Sequence, residues 1–166
     1  MKNLLYAVVP DFDFGNFTQI EPGFPNWQKS FVSGKASTLF QVTHWIHSTR
    51  KTLFLTKVKF LDAAEGPPGC VHGGASAGLM DEVMGIAVWH RNEHCVTEKL
   101  ELRYVKLLPL HEEALVFTEI VSETPKTLDV HATIYGLDKI PHVSGQGIFH
   151  RLNEEQIARF RFKLKS

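Results

Sequence analysis

Hydrophobic and polar positions change their period along this chain, and the changes mark out its elements. Residues 36–61 hold enough β-branched and aromatic side chains for two strands, with Ser48, Thr49 and Arg50 as the turn of a hairpin. Two prolines and two glycines in Glu65-Gly66-Pro67-Pro68-Gly69 end any regular element there. From residue 73 to 89 there is no proline, and only Asp81 and Glu82 carry charge, which predicts a helix buried on nearly every side. After a turn at residues 91–93, strand-like runs follow near 95–105, 112–122, 127–136 and 142–151. In the third of these runs Leu128, Val130, Ala132 and Ile134 alternate with Asp129, His131 and Thr133. In the first, Leu100, Leu102 and Tyr104 stand opposite Lys99, Glu101 and Arg103, a parity that groups Thr97 with the charged set. Connections this short predict antiparallel neighbours. The pattern is that of an α+β domain, a curled antiparallel sheet around one long helix. One helix covers one sheet face, so association through a sheet edge or the helix end is expected.

Residues 1–35 read as an N-terminal lead-in to a domain spanning 36–166. Pro10, Pro22 and Pro25 interrupt it, while Phe12, Phe14, Phe17, Phe24, Trp27 and Phe31 recur without a period, as in a segment pinned down by its aromatics. The apolar run 4–9 stops at Pro10, Asp11 and Asp13 with no small-residue cleavage site, and no window reaches the ~18 apolar residues of a membrane span. A cytoplasmic location without a membrane span is the expectation.

Composition narrows the function. The 166 residues are 43% hydrophobic and 22% charged, enough for a core that needs neither disulfides nor a structural metal. Cys70 and Cys95 then read as free thiols in a reducing compartment. The 18 Lys+Arg balance the 18 Asp+Glu, which argues against bulk affinity for nucleic acid or anionic lipid. An anionic ligand has to meet a local patch. Candidates are Lys99, Arg103, Lys106 and the tail around Arg161, where residues 159–165 alternate basic and apolar at the period of a strand. The plainer reading of each is a solvated strand edge.

The chemistry concentrates at the helix start. Gly66 to Gly69 approach it with four glycines and prolines ahead of His72, Gly73 and Gly74, and the first four N–H groups of a helix have no internal acceptor. With the helix dipole they suit a developing oxyanion, where one such donor contributes ~2.7–4 kcal/mol. Helical spacing also aligns Gly74, Gly78, Asp81 and Gly85 in one stripe, a groove of missing side chains holding a carboxylate. Two readings fit that stripe: close approach of a ligand, or tight packing with Asp81 left in solvent. Glu82 falls on the stripe of Ala75, Leu79, Ile86 and Trp89 and is the reserve base.

Residues 65–85, Glu-Gly-Pro-Pro-Gly-Cys-Val-His-Gly-Gly-Ala-Ser-Ala-Gly-Leu-Met-Asp-Glu-Val-Met-Gly, resemble the signature of hotdog-fold acyl-CoA thioesterases of the PaaI and THEM4-like group. The resemblance extends over about 51–151, through Val96-Thr97-Glu98-Lys99-Leu100-Glu101-Leu102-Arg103-Tyr104. It implies a hotdog fold, paired at least into a homodimer or further into a homotetramer, with an acyl-CoA substrate at the subunit interface and no cofactor. It also implies that Asp81 is the catalytic carboxylate, activating water or attacking directly, that the backbone of His72, Gly73 and Gly74 polarises the thioester carbonyl, and that Thr97 helps to orient water. CoA phosphates then fall to Arg103, Lys106 and Arg161. Where the family usually has a proline three residues after the aromatic, this chain has Leu107 and keeps Pro109.

Other constellations carry less. His90-Arg91-Asn92-Glu93-His94 matches a zinc pattern that needs both imidazoles on one continuous helix, whereas it falls in the turn after one, so no metal is expected. His44, His131 and His142 read as ordinary sheet residues, and Ser76 lies in no Gly-x-Ser-x-Gly elbow. Beside thioester hydrolysis stand an enoyl-thioester hydratase or dehydratase, which needs a His–acid pair, and a non-catalytic acyl-CoA binding module.

Overall fold

A computed structural model describes residues 13–24 and 26–164, with side chains as far as residue 159. The expectations for residues 4–9, Pro10, Phe12, Pro25, Lys165 and the Arg161 side chain lie outside this range. In chain order the elements are β1 (Phe17–Ile20), β2 (Phe40–His47), β3 (Leu53–Phe60), α1 (Gly73–Trp89), β4 (Cys95–Tyr104), β5 (Glu113–Glu123), β6 (Thr127–Gly136), β7 (Pro141–Arg151) and α2 (Glu154–Leu164). The strands form one antiparallel sheet in the order β1-β2-β3-β5-β6-β7-β4, with α1 packed on its inner face. This is the curled sheet around a central helix that the hotdog resemblance implies.

The period-2 pattern of β6 is realised: Leu128, Val130, Ala132 and Ile134 enter one core with Leu79, Met80, Val83 and Met84 of α1. The opposite parity in β3 sends Leu53 and Leu55 to the other sheet face, where they cluster with Leu115, Phe117 and Tyr135. On β7, Gly147 lets helix and sheet meet, since a Cβ there would lie 2.8 Å from the Met84 sulfur.

Three features depart from the sequence pattern. The sheet begins inside the expected lead-in, where β1 pairs with β2 from Phe17↔His47 to Ile20↔His44; four residues on an edge are too few to display a period. Beyond it, residues 30–34 form a strap on the inner face of β2. Val32 is fully buried in the main core, and Ser33 bonds to His44. The tail expected as a strand is the helix α2. Asn153 accepts from the Gln156 N–H and Gln156 accepts from the Asn153 N–H, a reciprocal cap that starts a helix whatever alternation follows. Arg159 then pairs with Glu155 one turn earlier.

His44 ties the strap to the sheet through Ser33 Oγ at 3.2 Å and Thr56 Oγ1 at 2.8 Å. Burial pushes its imidazole from 6.5 down to about 4. As pH falls through this window the unfolded chain takes up the proton before the folded one, so stability is intact above pH 6.5 and lost toward pH 4. Chemical denaturation of wild type and His44→Gln should therefore show a stability gap that narrows by about 3 kcal/mol between pH 7 and 4. A gap independent of pH would contradict the assignment.

Candidate active site

The loop before α1 is knitted together by its own backbone. Gly66 N–H donates to the Cys70 carbonyl, Cys70 N–H to Pro67, Val71 N–H to Leu108 and His72 N–H to Ala64, while the Glu65 carboxylate accepts from Gly69 N–H at 2.8 Å. Two positions require glycine: Gly69 has φ +73°, and a Cβ on Gly66 would lie 2.7 Å from the His72 Cα. His72 is the N-cap, its Nδ1 accepting from the Gly74 N–H at 2.9 Å. Gly73 opens the helix, where an amide has no intrahelical acceptor. The hydroxyl of Tyr104 donates to the Gly73 carbonyl at 2.8 Å and fixes the helix start against β4, a role that sequence reasoning missed because Tyr104 carries only a packing signal.

Asp81 lies two turns further along α1, half-buried, and its Oδ1 accepts from the Thr97 hydroxyl at 2.7 Å. Strand parity had grouped Thr97 with Lys99 and Glu101, on the wrong side for this contact. The reason is a β-bulge. Thr97 pairs with Phe149 and Lys99 with Ile148, so Glu98 is an extra residue and the parity reverses across it. Thr97 shares the side of Leu100 and Leu102, because its partner Phe149 has the same parity on β7 as their partners Gly147 and Gly145.

Glu82, the reserve base, has a different task. Its carboxylate accepts from the Ser30 hydroxyl and, at 2.9 Å, from the Ser33 N–H, and so holds the strap against the helix. Asp81 and Glu82 point about 100° apart on the helix, one toward β4 and one toward the strap.

A cleft of about 340 Å³ opens beside the helix start, lined in part by Pro67, Val71, Gly73, Tyr104, Lys106 and Leu107. Lys106 is thus at the cleft, paired with Asp138 at 3.6 Å, whereas Lys99 pairs with Glu101 at 3.0 Å along β4, on which Arg103 is also exposed. Leu107, where the resemblance implies a proline, is 65% exposed and its carbonyl oxygen accepts from His142 Nδ1 at 2.8 Å. The residues of the zinc-like pattern go to separate partners: His90 packs on Phe54, Glu93 binds Arg151 and His94 packs on Trp89. Cys95 is buried, which pushes its thiol up to about 11.

Residues 68–139 match the family model of the thioesterase superfamily. Over these residues the chain is similar to that superfamily. Among its relatives is the human acyl-coenzyme A thioesterase THEM5, 27% identical over 93 residues that cover 55% of this chain and 38% of that protein. The chain thus spans well under two thirds of the length of this curated relative. Among solved structures, the thioesterase superfamily protein RHA08564 aligns with a TM-score of 0.61 and 29% identity over 66% of this chain and 53% of that one. The BH2602 protein from Bacillus halodurans, solved with CoA, aligns with a TM-score of 0.55 and 25% identity over 59% of this chain and 66% of that one. Among the described residues no helix is long and apolar enough to cross a membrane.

If Glu82 fastens the strap, Glu82→Ala leaves two donors without their acceptor. Denaturation should show a loss of about 1–3 kcal/mol, and limited proteolysis should cut faster within residues 27–38. An Asp81→Asn variant should show neither change; equal effects of the two substitutions would refute the division of roles.

Proposed function

We propose that this chain hydrolyses acyl-CoA thioesters, with Asp81 as the base or nucleophile and the start of α1 as the oxyanion site. The single observation that carries the reading is the bond from Thr97 to Asp81. It fixes one carboxylate oxygen with a hydroxyl and leaves the other free to take a proton, on a helix whose first turn offers backbone donors. As a general base, Asp81 takes a proton from water while the water oxygen bonds to the thioester carbon. The carbonyl electrons move to the oxygen facing the helix start, then return as the C–S bond breaks and the CoA sulfur leaves and is protonated. As a nucleophile, the carboxylate itself bonds to that carbon while the C–S bond breaks and CoA leaves as its thiolate, and water then cleaves the resulting anhydride to the free acid and the restored carboxylate. Gly74 N–H becomes a donor to the substrate once the His72 ring turns away from it.

Distance supports a homodimer, and with it the PaaI-like arrangement. Gly74 and Asp81 are seven residues apart on one helix, and at 1.5 Å per residue about 10 Å separates them. Water bound at Asp81 must lie about 3–3.5 Å from the carbon it attacks, so a carbonyl held by Gly74 of the same chain is out of reach. Two copies pairing antiparallel through the open edge of β4 bring the helices side by side in opposite directions. Asp81 of one then meets the helix start of its partner. Lys106, at the cleft beside the helix start, and Arg103, on that edge strand, suit the anionic end of CoA.

CoA release from a panel of acyl-CoAs should fall about 10²–10⁴-fold in kcat for Asp81→Asn, with little change in thermal stability. Sizing at the assay concentration should give a dimer or a larger assembly. Equal rates for wild type and variant, or full activity in a monomer, would overturn the reading.

A further inference from the structure

The glycine stripe is not open along its whole length. A Cβ built on Gly78 would lie 2.8 Å from the Phe31 ring, so the strap lays an aromatic into the space where a side chain would stand. Gly78 is three residues before Asp81 and therefore its neighbour on the same helix face. Phe31 nonetheless remains 60% exposed.

The turn that presents it is fastened on all sides. Ser30 and Ser33 bond to Glu82, Ser33 also bonds to His44, Ser37 Oγ donates to the Phe31 carbonyl at 2.7 Å, and Val32 is locked in the core. A large apolar ring held out on so rigid a turn costs exposed apolar surface, which an apolar ligand relieves. Against Phe31 the helix offers the bare backbone of Gly78, whereas the basic side chains of Lys99, Arg103 and Lys106 belong to β4 and the segment after it. The apolar side suits the acyl arm of a thioester and the basic side its CoA arm.

We infer that Phe31 is the wall of the acyl site beside Asp81 and sets which acyl groups it accepts. The inference rests on the thioesterase reading above and deepens it. A short straight acyl group passes along the ring, and a branched or aryl group meets it.

The test compares non-hydrolysable thioether analogues of a bulky aryl-acyl-CoA and a short straight-chain acyl-CoA, binding to wild type, Phe31→Ala and Phe31→Trp. Phe31→Ala should shift the affinity ratio about tenfold toward the bulky analogue, the scale of a methylene-sized change in an apolar pocket, and Phe31→Trp should shift it the other way. A general loosening of the strap would weaken both analogues alike and leave the ratio unchanged. An unchanged ratio in both variants overturns the inference even where CoA release depends on Asp81. Should wild type release no CoA, the hydrolase reading fails, and the binding ratio still decides the role of Phe31.

Discussion

A single apolar helix has to be buried by a sheet much wider than itself. Seven strands at about 4.8 Å spacing span roughly 30 Å, against about 10 Å for a helix with its side chains. α1 packs on β3, β5, β6, β7 and β4, and the inner face of β2 is met by the strap, with Val32 in the core and Ser33 on His44. The strap in turn needs a polar anchor, because its backbone enters a largely apolar surround. Glu82 supplies that anchor, and its neighbour Asp81 is left for the other side.

Two adjacent carboxylates on one buried helix would be costly if both were unpaired. The helical turn separates them. Glu82 meets two donors from a segment some fifty positions earlier in the chain, and Asp81 meets one hydroxyl from the edge strand. A carboxylate with its acceptor sites occupied is a structural tie, whereas one with an unoccupied oxygen at a surface can still exchange a proton. Their division of labour follows from what surrounds each side chain, since the two residues differ by one methylene.

Much of this fold was legible because its information is local and periodic. α1 was visible from sixteen continuous steps without proline and with two charges, and β6 from its strict alternation. What escaped depends on contacts between distant segments or on a single inserted residue. Glu98 reverses the parity of β4, and nothing in the run Cys95 to Tyr104 marks it as the extra residue, so the face of Thr97 was misread. In α2 a reciprocal cap of two side chains outweighed an apolar alternation that looked like a strand. The strap was invisible for a third reason. Its serines carry no pattern of their own until Glu82 and His44 are folded against them.

The glycine stripe shows why spacing alone left two readings open. Close packing and ligand approach both demand missing side chains, and here one helix face uses glycine for different ends at successive turns. At Gly78 the space is filled by Phe31, so packing accounts for that glycine without a ligand. At Gly74 a Cβ would meet only the His72 ring, at 3.0 Å from Nδ1, and that ring is the cap of the same helix and can rotate. The helix start is therefore closed by a movable side chain and the middle of the stripe by a fastened one. On the function proposed above, specificity is best built on the rigid contact and the reacting carbonyl admitted at the movable one, because a wall that yields discriminates poorly and a donor that never frees its hydrogen cannot bind an oxyanion.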